Sequence, residues 1–158
     1  MASPTAQTPV TSITQDQLQA EKAWIEGYYK DLDGLDWSKW EKYWDKDAFL
    51  QVGNLSRVHG RGAIENFYKD GLINIFESVH HESNRELTLD EFLGLIYSSR
   101  VVSYKIKGDP KGRTIRVPEM AVIHKRPGEN VATGAEIYFD NTPIAAAVQE
   151  VMEGKVTE

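Results

Sequence analysis

The chain of 158 residues contains no cysteine, and this absence excludes several classes of protein at once. Without a thiol there is no disulfide framework, no thiolate nucleophile and no cysteine-ligated zinc or iron–sulfur site. The histidines, at positions 59, 80, 81 and 124, are not spaced as metal ligands, because adjacent histidines on a strand point to opposite faces. Phosphate-loop, Rossmann-glycine and Ser-His-Asp patterns are also missing. We therefore expect neither a metal nor a cofactor.

Positive charge is scarce as well. There are 18 basic residues against 24 acidic ones, for a formal net charge of −6, and no basic stripe with interleaved aromatic residues is present. Such a chain has no general attraction for nucleic acid. It has no run of about 18 apolar residues to span a membrane, and its first residues lack the basic flank and apolar stretch of a secretory signal. We expect a cytoplasmic protein that binds neither nucleic acid nor membrane.

What the chain does contain is enough for one globular domain. Its hydrophobic content of 41% and charged content of 27% are ordinary values, and a chain of this length can bury a core without covalent staples. Residues 1–13 are rich in Ser, Thr, Pro and Ala and are predicted to form a flexible arm. Residues 14–152 are predicted to be the domain, and residues 153–158 a C-terminal tail.

Helical periodicity dominates the first half of the domain. Thr14 and Gln17 have the spacing of a capping box, and apolar residues then recur every three or four positions, which predicts a helix over residues 15–32. Residues 60–62 are predicted to open another helix, whose apolar side runs as far as Phe76.

Between these two helices, three tryptophans follow an aspartate that can cap a short helix. Trp37, Trp40 and Trp44 are three and four residues apart, so we expect one short helix, capped by Asp36, to carry all three on one face. Three indoles in eight residues bury a large area when they face inward. They are interpreted either as core or as the wall of a ligand site.

The second half of the chain changes to the period of strands. Short strands are predicted at residues 48–52 and 57–59, and longer ones at residues 79–89, 93–107, 113–125 and 131–140, with a closing helix at residues 144–152. Helices first and strands last argue for an α+β fold. We expect a cone-shaped, curved, mixed or antiparallel sheet wrapped around the N-terminal helices, with a pocket at its mouth.

This order of elements, with certain short motifs, resembles the nuclear transport factor 2-like superfamily and its SnoaL-like branch. The motifs are residues 35–37, 59–64, 65–68 and 137–140, and the most specific is the Gly-Arg-x-Ala-Ile turn at residues 60–64. The resemblance covers residues 15–152. It implies an α+β barrel around a small-molecule pocket and a homodimer formed through the sheet.

Residues 94–140 are similar to limonene-epoxide hydrolases, which activate water with an Asp-Arg-Asp set assisted by a Tyr and an Asn. The arginine matches Arg100. The two acids fall at Val102 and Ile137, and the Tyr and Asn fall at Leu50 and Val52. Because Val and Ile cannot deprotonate water, the sequence argues against that mechanism in its family form.

Scytalone dehydratase provides a second comparison. Asp33 resembles a residue at the exit of that enzyme's first helix, and His80 or His81 falls where it keeps a catalytic histidine. Its helix-exit tyrosine falls at Leu32, and its second histidine and Ser/Asn pair find no match. One of the two adjacent histidines must face inward, because side chains alternate along a strand.

The epoxide-hydrolase alignment sets the register of the predicted pocket. It places Arg100 and Glu119 inward as a charged pair, interpreted either as a buried salt bridge that fixes the strands or as an acid/base group with its guanidinium partner. Tyr28 on the first helix is a further candidate donor to a carbonyl or enolate oxygen. The residues predicted to bind substrate are Trp24, Trp44, Leu50, Val52, Phe67, Ile96, Ser98, Val102, Tyr104, Val117, Thr133, Ala135, Ile137 and Phe139.

The resulting hypothesis is a cofactor-independent enzyme of secondary metabolism, of the polyketide or terpenoid kind. It would isomerise, cyclise or dehydrate a hydrophobic, oxygenated small molecule, with catalytic candidates Arg100, Glu119, His80, His81 and Tyr28. The alternatives are a non-catalytic small-molecule binding protein and an epoxide hydrolase or cyclase with an altered acid/base set.

Overall fold

The structure is a computed structural model that describes residues 13–82, 86–91 and 93–154. Apart from residue 13, the predicted N-terminal arm lies outside the described residues, as do residues 155–158 of the predicted tail. Four α-helices are present in the described part: α1 (Gln15–Asp33), α2 (Trp37–Trp40), α3 (Arg61–Tyr68) and α4 (Thr142–Met152). The strands are β1 (Trp44–Val52), β2 (Val58–His59), β3 (Phe76–His81), β4 (Glu86–Asp90), β5 (Leu95–Ile106), β6 (Ile115–His124) and β7 (Ala132–Phe139).

The first helix begins where its capping box predicts. The Thr14 hydroxyl accepts a hydrogen bond from the Gln17 backbone N–H at 3.2 Å, and the Gln17 side chain accepts one from the Thr14 backbone N–H at 2.8 Å. This reciprocal pair satisfies two amides that have no partner inside the helix. The helix predicted over residues 15–32 is thereby confirmed to within one residue at its C-terminal end.

The α+β architecture is confirmed, with a curved and open mixed sheet. Its strand order is β2-β1-β7-β6-β5-β3, and β4 also pairs with β5. The strands β5, β6 and β7 form the expected antiparallel meander, whereas β1 runs parallel to β7. At that parallel contact a Cβ on Gly134 would lie 2.1 Å from a ring carbon of Phe49, so the Phe49 ring can cover this position because the residue is glycine.

Two predicted elements were wrong in extent. The single strand expected over residues 79–89 is two strands, β3 and β4, which pair with different halves of β5. Residues 82–85 are all polar and break the alternation that one continuous strand needs. Phe76, predicted on a helix, instead begins β3, because α3 passes into a π-helical turn at Lys69–Ile73 and then ends.

The three tryptophans are buried, but they do not share one helix. A 3₁₀ turn at Glu41–Tyr43 follows α2, so Trp44 adopts extended backbone and begins β1. Exposure is 7% for Trp37, 4% for Trp40 and 1% for Trp44, and neighbouring rings meet edge to face at 5.7 Å and 5.2 Å. Asp36 caps α2 as predicted, accepting from the Ser38 backbone N–H. Core packing is therefore the main role of these indoles.

Two clusters of buried apolar residues fill the space between helices and sheet. The larger joins α1, the tryptophans, β1 and the inner faces of β6 and β7. The smaller lies where β3, β5 and β6 meet α4. Across residues 13–82, 86–91 and 93–154, no helix combines the length and the apolar character required to cross a membrane.

Candidate active site

A cavity of about 1450 Å³, open to solvent, lies between the inner face of the sheet and the helices. Its walls are mainly aliphatic and aromatic. The aromatic lining includes Tyr28 and Tyr29 of α1, Trp40 of α2 and Tyr104 of β5. A concave, largely apolar site with few polar groups is the usual form of a small-molecule pocket.

The cavity contains one histidine, and two carboxylates hold it. Asp33 is the last residue of α1, His81 the last of β3, and Glu119 lies in the middle of β6. The His81 backbone N–H donates to Asp33 Oδ2 at 2.9 Å, and its ring Nδ1 lies 2.5 Å from Asp33 Oδ1. On the other side of the ring, Nε2 lies 3.6 Å from Glu119 Oε1. The two contacts with Asp33 fix the imidazole, so Nε2 is directed at Glu119.

This arrangement favours the protonated imidazole. Burial by itself would lower the pKa of His81, but the hydrogen bonds to Asp33 and Glu119 and the charges of these carboxylates outweigh it, so the pKa is raised above 6.5. His81 is therefore equipped to act as a general acid near neutral pH, with Glu119 beside it as a base.

Two buried phenols add hydrogen-bond donors to the cavity. Tyr28 and Tyr104 line it, with exposures of 2% and 5%, and neither hydroxyl has a hydrogen-bond partner in the described part of the chain. Burial, reinforced by the negative charge of Glu119 among other neighbours, raises the pKa of both phenols. They stay protonated at ordinary pH, so each can donate a hydrogen bond to a ligand oxygen. The Tyr68 hydroxyl, by contrast, already donates to the Leu32 carbonyl at 2.7 Å.

The predicted ion pair between Arg100 and Glu119 does not form. The two residues are directly opposite each other on β5 and β6, as the alignment implied, but the guanidinium turns to α1. It donates to Glu26 Oε1 at 3.0 Å and lies 3.8 Å above the Tyr29 ring. Because Glu26 and Tyr29 are three residues apart on one helical face, α1 offers the cation both a carboxylate and a ring face.

Arg100 is therefore a buried structural cation rather than part of the cavity wall. Its remaining donors reach the Ser98 hydroxyl at 3.2 Å and the Glu82 carbonyl at 3.0 Å. The Tyr29 ring, whose one side meets Arg100, also packs against the His81 ring with centroids 4.7 Å apart. The Tyr29 ring thus lies between the Arg100 guanidinium and the His81 imidazole.

The adjacent histidines separate as strand alternation requires. The His81 side chain is 5% exposed and faces the cavity, whereas that of His80 is 70% exposed, with Nδ1 3.4 Å from Asp33 Oδ2. His80, proposed from the sequence as a catalytic residue, therefore lies outside the cavity.

The predicted substrate-binding residues divide into three groups. Those that line the cavity are Leu50, Val52, Phe67, Tyr104, Ile137 and Phe139. Those buried in the core instead, where the helices pack on the sheet, are Trp44, Ile96, Ser98, Val102, Val117 and Ala135. Two lie near the surface. Trp24 is half-buried, and its indole N–H donates to the Asn130 carbonyl. Thr133 is exposed opposite the irregular part of β1 and donates to the His124 carbonyl.

Two residues that contact His81 were not among the catalytic candidates predicted from the sequence. Asp33 entered through the dehydratase resemblance and as a weaker candidate at the rim of the pocket, and Tyr29 was named only as part of the apolar periodicity of the first helix. Both lie on the face of α1 that carries Glu26, at spacings of three and four residues, so helical periodicity contains the signal. Within the described ranges no three His, Asp or Glu residues are grouped as a metal site.

The fold of the chain is the nuclear transport factor 2-like fold, which it shares with the solved structures described below. No protein-family model matches the sequence, and no curated protein matches it.

Similarity to solved structures is clear at the level of fold. A candidate polyketide cyclase of Xanthomonas campestris pv. campestris has 18% identity and a TM-score of 0.69, over 84% of this chain and 98% of its own. A candidate SnoaL-like polyketide cyclase of Shewanella denitrificans has 15% identity and a TM-score of 0.67, over 83% and 98%. A ketosteroid isomerase-like protein of Catenulispora acidiphila, solved with trimethylamine, has 15% identity and a TM-score of 0.66, over 80% and 92%.

Proposed function

We propose that this protein is a cofactor-independent acid/base enzyme that isomerises, cyclises or dehydrates a hydrophobic, oxygenated small molecule. One observation carries the proposal: the Asp33–His81–Glu119 arrangement opens into an aromatic cavity that also holds two phenols without hydrogen-bond partners. The solved structures of similar fold named as polyketide cyclases support a substrate of the polyketide kind.

The residues have distinct roles in such a reaction. Glu119 removes a proton from the carbon next to a carbonyl group, and the electron pair moves to the carbonyl oxygen. Tyr28 and Tyr104 donate hydrogen bonds to that oxygen as its charge develops. His81, protonated and held by Asp33, returns a proton to the oxygen, or to a hydroxyl that leaves as water. Nε2 of His81 and Oε1 of Glu119 are 3.6 Å apart, so Glu119 resets the pair by returning its proton to His81 once the two side chains close to hydrogen-bond distance or through one bridging water.

The rate of hydrogen–deuterium exchange next to a ketone tests this directly, without knowledge of the natural substrate. We use 1-tetralone in D₂O and follow loss of the C2 proton signal by NMR. The wild-type protein is expected to accelerate exchange over buffer, and Glu119→Gln to lose that acceleration by a factor of about 10²–10⁴. The matched control is Glu26→Gln, which changes a carboxylate on α1 outside the cavity. Equal exchange with the wild type and with Glu119→Gln would refute the assignment.

A second candidate function is non-catalytic binding of an apolar small molecule. It is favoured by the aliphatic residues Leu50, Val52 and Ile137 in the cavity wall, at positions where the epoxide hydrolases carry polar catalytic groups. This alternative predicts that 1-tetralone raises the melting temperature while its exchange rate stays at the buffer value.

We also propose that two copies associate through the outer face of the sheet. Met120 and Tyr138 face each other on β6 and β7, with exposures of 43% and 46%, and supply apolar surface there. Light scattering coupled to size exclusion is expected to give a dimer for the wild type and a monomer for Met120→Lys. A wild-type monomer at micromolar concentration would rule this interface out.

A further inference from the structure

The charges that line the cavity have almost a single sign. Glu119 lies at its inner end, and Asp140 and Glu153 lie where α4 borders it. The described residues that line the cavity include no lysine and no arginine. The one group able to carry positive charge is His81, and it is already held between Asp33 and Glu119.

Two arginines of neighbouring elements form ion pairs with carboxylates outside the cavity lining. Arg100 lies behind the Tyr29 ring and binds Glu26, and Arg113 binds Asp109 and reaches the carboxylate of Glu150. Neither guanidinium is part of the cavity lining. The only cation a bound anion would then meet in the described lining is His81, whose charge Asp33 and Glu119 already balance. Burial of a charge that lacks such compensation is strongly unfavourable.

The walls reinforce the effect of the carboxylates. Ring faces carry partial negative charge, so they repel anions and attract cations. Tyr28, Tyr29 and Tyr104 line the cavity together with Glu119. Burial, with the charge of Glu119 added to it, raises the pKa of each phenol. A carboxylate or phosphate at this inner end would meet the negative charge of Glu119.

We infer that the cavity selects aromatic ligands that are uncharged or basic and excludes those that carry a carboxylate, sulfate or phosphate. The inference rests on the proposed function in taking this cavity as the substrate site. It narrows the substrate class to an aromatic ketone or hydroxy compound that is uncharged or basic.

Three ligands of one shape test the inference at pH 7: 2-naphthol, which is neutral, 2-naphthylmethylamine, which is cationic, and 2-naphthoate, which is anionic. Isothermal titration calorimetry gives the dissociation constant of each. We expect 2-naphthoate to bind at least tenfold more weakly than 2-naphthol, and the amine to bind at least as tightly as 2-naphthol. Equal binding of naphthoate and naphthol overturns the inference. Equal rejection of both charged ligands also overturns it, because desolvation alone would then explain the selection.

Two comparisons test whether charge causes the selection: Glu119→Gln against the wild type, and Leu55→Lys against Leu55→Gln. Glu119→Gln keeps the shape of the side chain and removes its charge, so naphthoate is expected to gain at least fivefold in affinity while naphthol stays within twofold. Leu55→Lys, compared with Leu55→Gln, places a cation at an exposed position of the lining, 57% exposed, and is expected to improve naphthoate binding about threefold. Absence of any gain in both pairs refutes the electrostatic cause.

These outcomes are independent of catalysis. If the ranking of naphthalenes holds while 1-tetralone exchange stays at the buffer rate, the charge selection stands and the proposed acid/base function fails. If exchange is catalysed and depends on Glu119 while naphthoate binds as well as naphthol, the function stands and the charge selection fails.

Discussion

Each end of α1 places an acid against a base that lies in or directly after a strand, and the two pairs differ in what surrounds them. Near its beginning, Glu21 meets Lys125, with Nζ 2.5 Å from Oε2, and also accepts from the Gly128 backbone N–H at 2.9 Å. At its end, Asp33 meets His81. The first pair is enclosed in the core, whereas the second faces the cavity and a further carboxylate.

This difference separates a structural pair from a chemical one. A lysine enclosed with its own carboxylate has no ligand to exchange a proton with, so the pair serves to tie α1 to the turn after β6. The imidazole at the other end has a nitrogen left for Glu119 and for a ligand. Burial alone therefore does not make an ionisable group a catalytic candidate. The group must also face a ligand site and have a nitrogen or oxygen that its structural partner does not occupy.

The largest effect on stability is expected at the enclosed pair. Lys125→Met leaves Glu21 as an uncompensated buried charge, and we expect the free energy of unfolding to fall by about 3–5 kcal/mol. Urea denaturation followed by circular dichroism measures this loss. The double variant Glu21→Leu with Lys125→Met should recover most of it, because both charges are then gone. Failure of the double variant to recover stability would mean that the pair, and not its imbalance, supports the fold.

At the cavity pair the same kind of change should act on function more than on stability. Asp33→Asn removes the carboxylate that raises the pKa of His81, so that pKa is expected to fall. The alkaline limb of the pH–rate profile for 1-tetralone exchange should move to lower pH, and activity at pH 7 should drop about 10–100-fold. NMR titration of the His81 ring protons checks the cause. An unchanged His81 pKa in a folded Asp33→Asn variant would contradict the assignment.

The raised pKa of His81 also predicts how the stability of the folded protein changes with pH. The pKa of His81 is raised in the folded protein, so its stabilising contribution is fully present below the unfolded pKa of about 6.5. It is lost as the pH rises through the higher folded value. Urea midpoints measured between pH 5 and pH 9 should show this decline in the wild type and less of it in Asp33→Asn. A wild-type midpoint that rises with pH over this range would reverse the sign and exclude the linkage.

Tyr104 and Tyr68 also differ in whether the hydroxyl serves function or stability, and the expected effects are smaller. Tyr104→Phe removes a hydroxyl without a protein partner, so stability should change by less than about 1 kcal/mol while 1-tetralone exchange slows about tenfold. Tyr68→Phe is the matched control. It removes the hydrogen bond to Leu32 and should cost about 1 kcal/mol with little effect on exchange. Equal exchange rates for Tyr104→Phe and the wild type would remove Tyr104 from the site.

Sequence periodicity predicted most of the helices and strands, but not which of them contact each other. The capping box at Thr14 and the alternation along β5 are local signals, and both predictions were confirmed. The contact between Glu21 and Lys125 joins residues 104 positions apart, and no spacing along the chain reports it. The parallel pairing of β1 with β7 is equally non-local.

The candidate site shows the same limit. Strand alternation gave one inward histidine, and the resemblance to epoxide hydrolases gave the inward positions of Arg100 and Glu119, all of which are buried. Neither could show that the Arg100 side chain binds Glu26 and Tyr29 instead of Glu119, because this contact depends on how α1 packs across the sheet. Inward direction along a strand also does not distinguish a residue of the cavity wall from one covered by a helix, as Ile96 and Val102 demonstrate.

Glu26, midway along α1, is where the smallest effect is expected. It pairs with Arg100, but its side chain is 54% exposed, so solvent screens the interaction and the gain from pairing is modest. Glu26→Gln retains an oxygen that can accept from the guanidinium, so the free energy of unfolding should fall by less than about 1 kcal/mol. Tyr29 still covers the other side of Arg100, and the His81 pKa and 1-tetralone exchange should stay at wild-type values. A His81 pKa altered by Glu26→Gln would show that Arg100 acts on the imidazole through Tyr29, and the middle of α1 would then belong with its catalytic end rather than with its structural one.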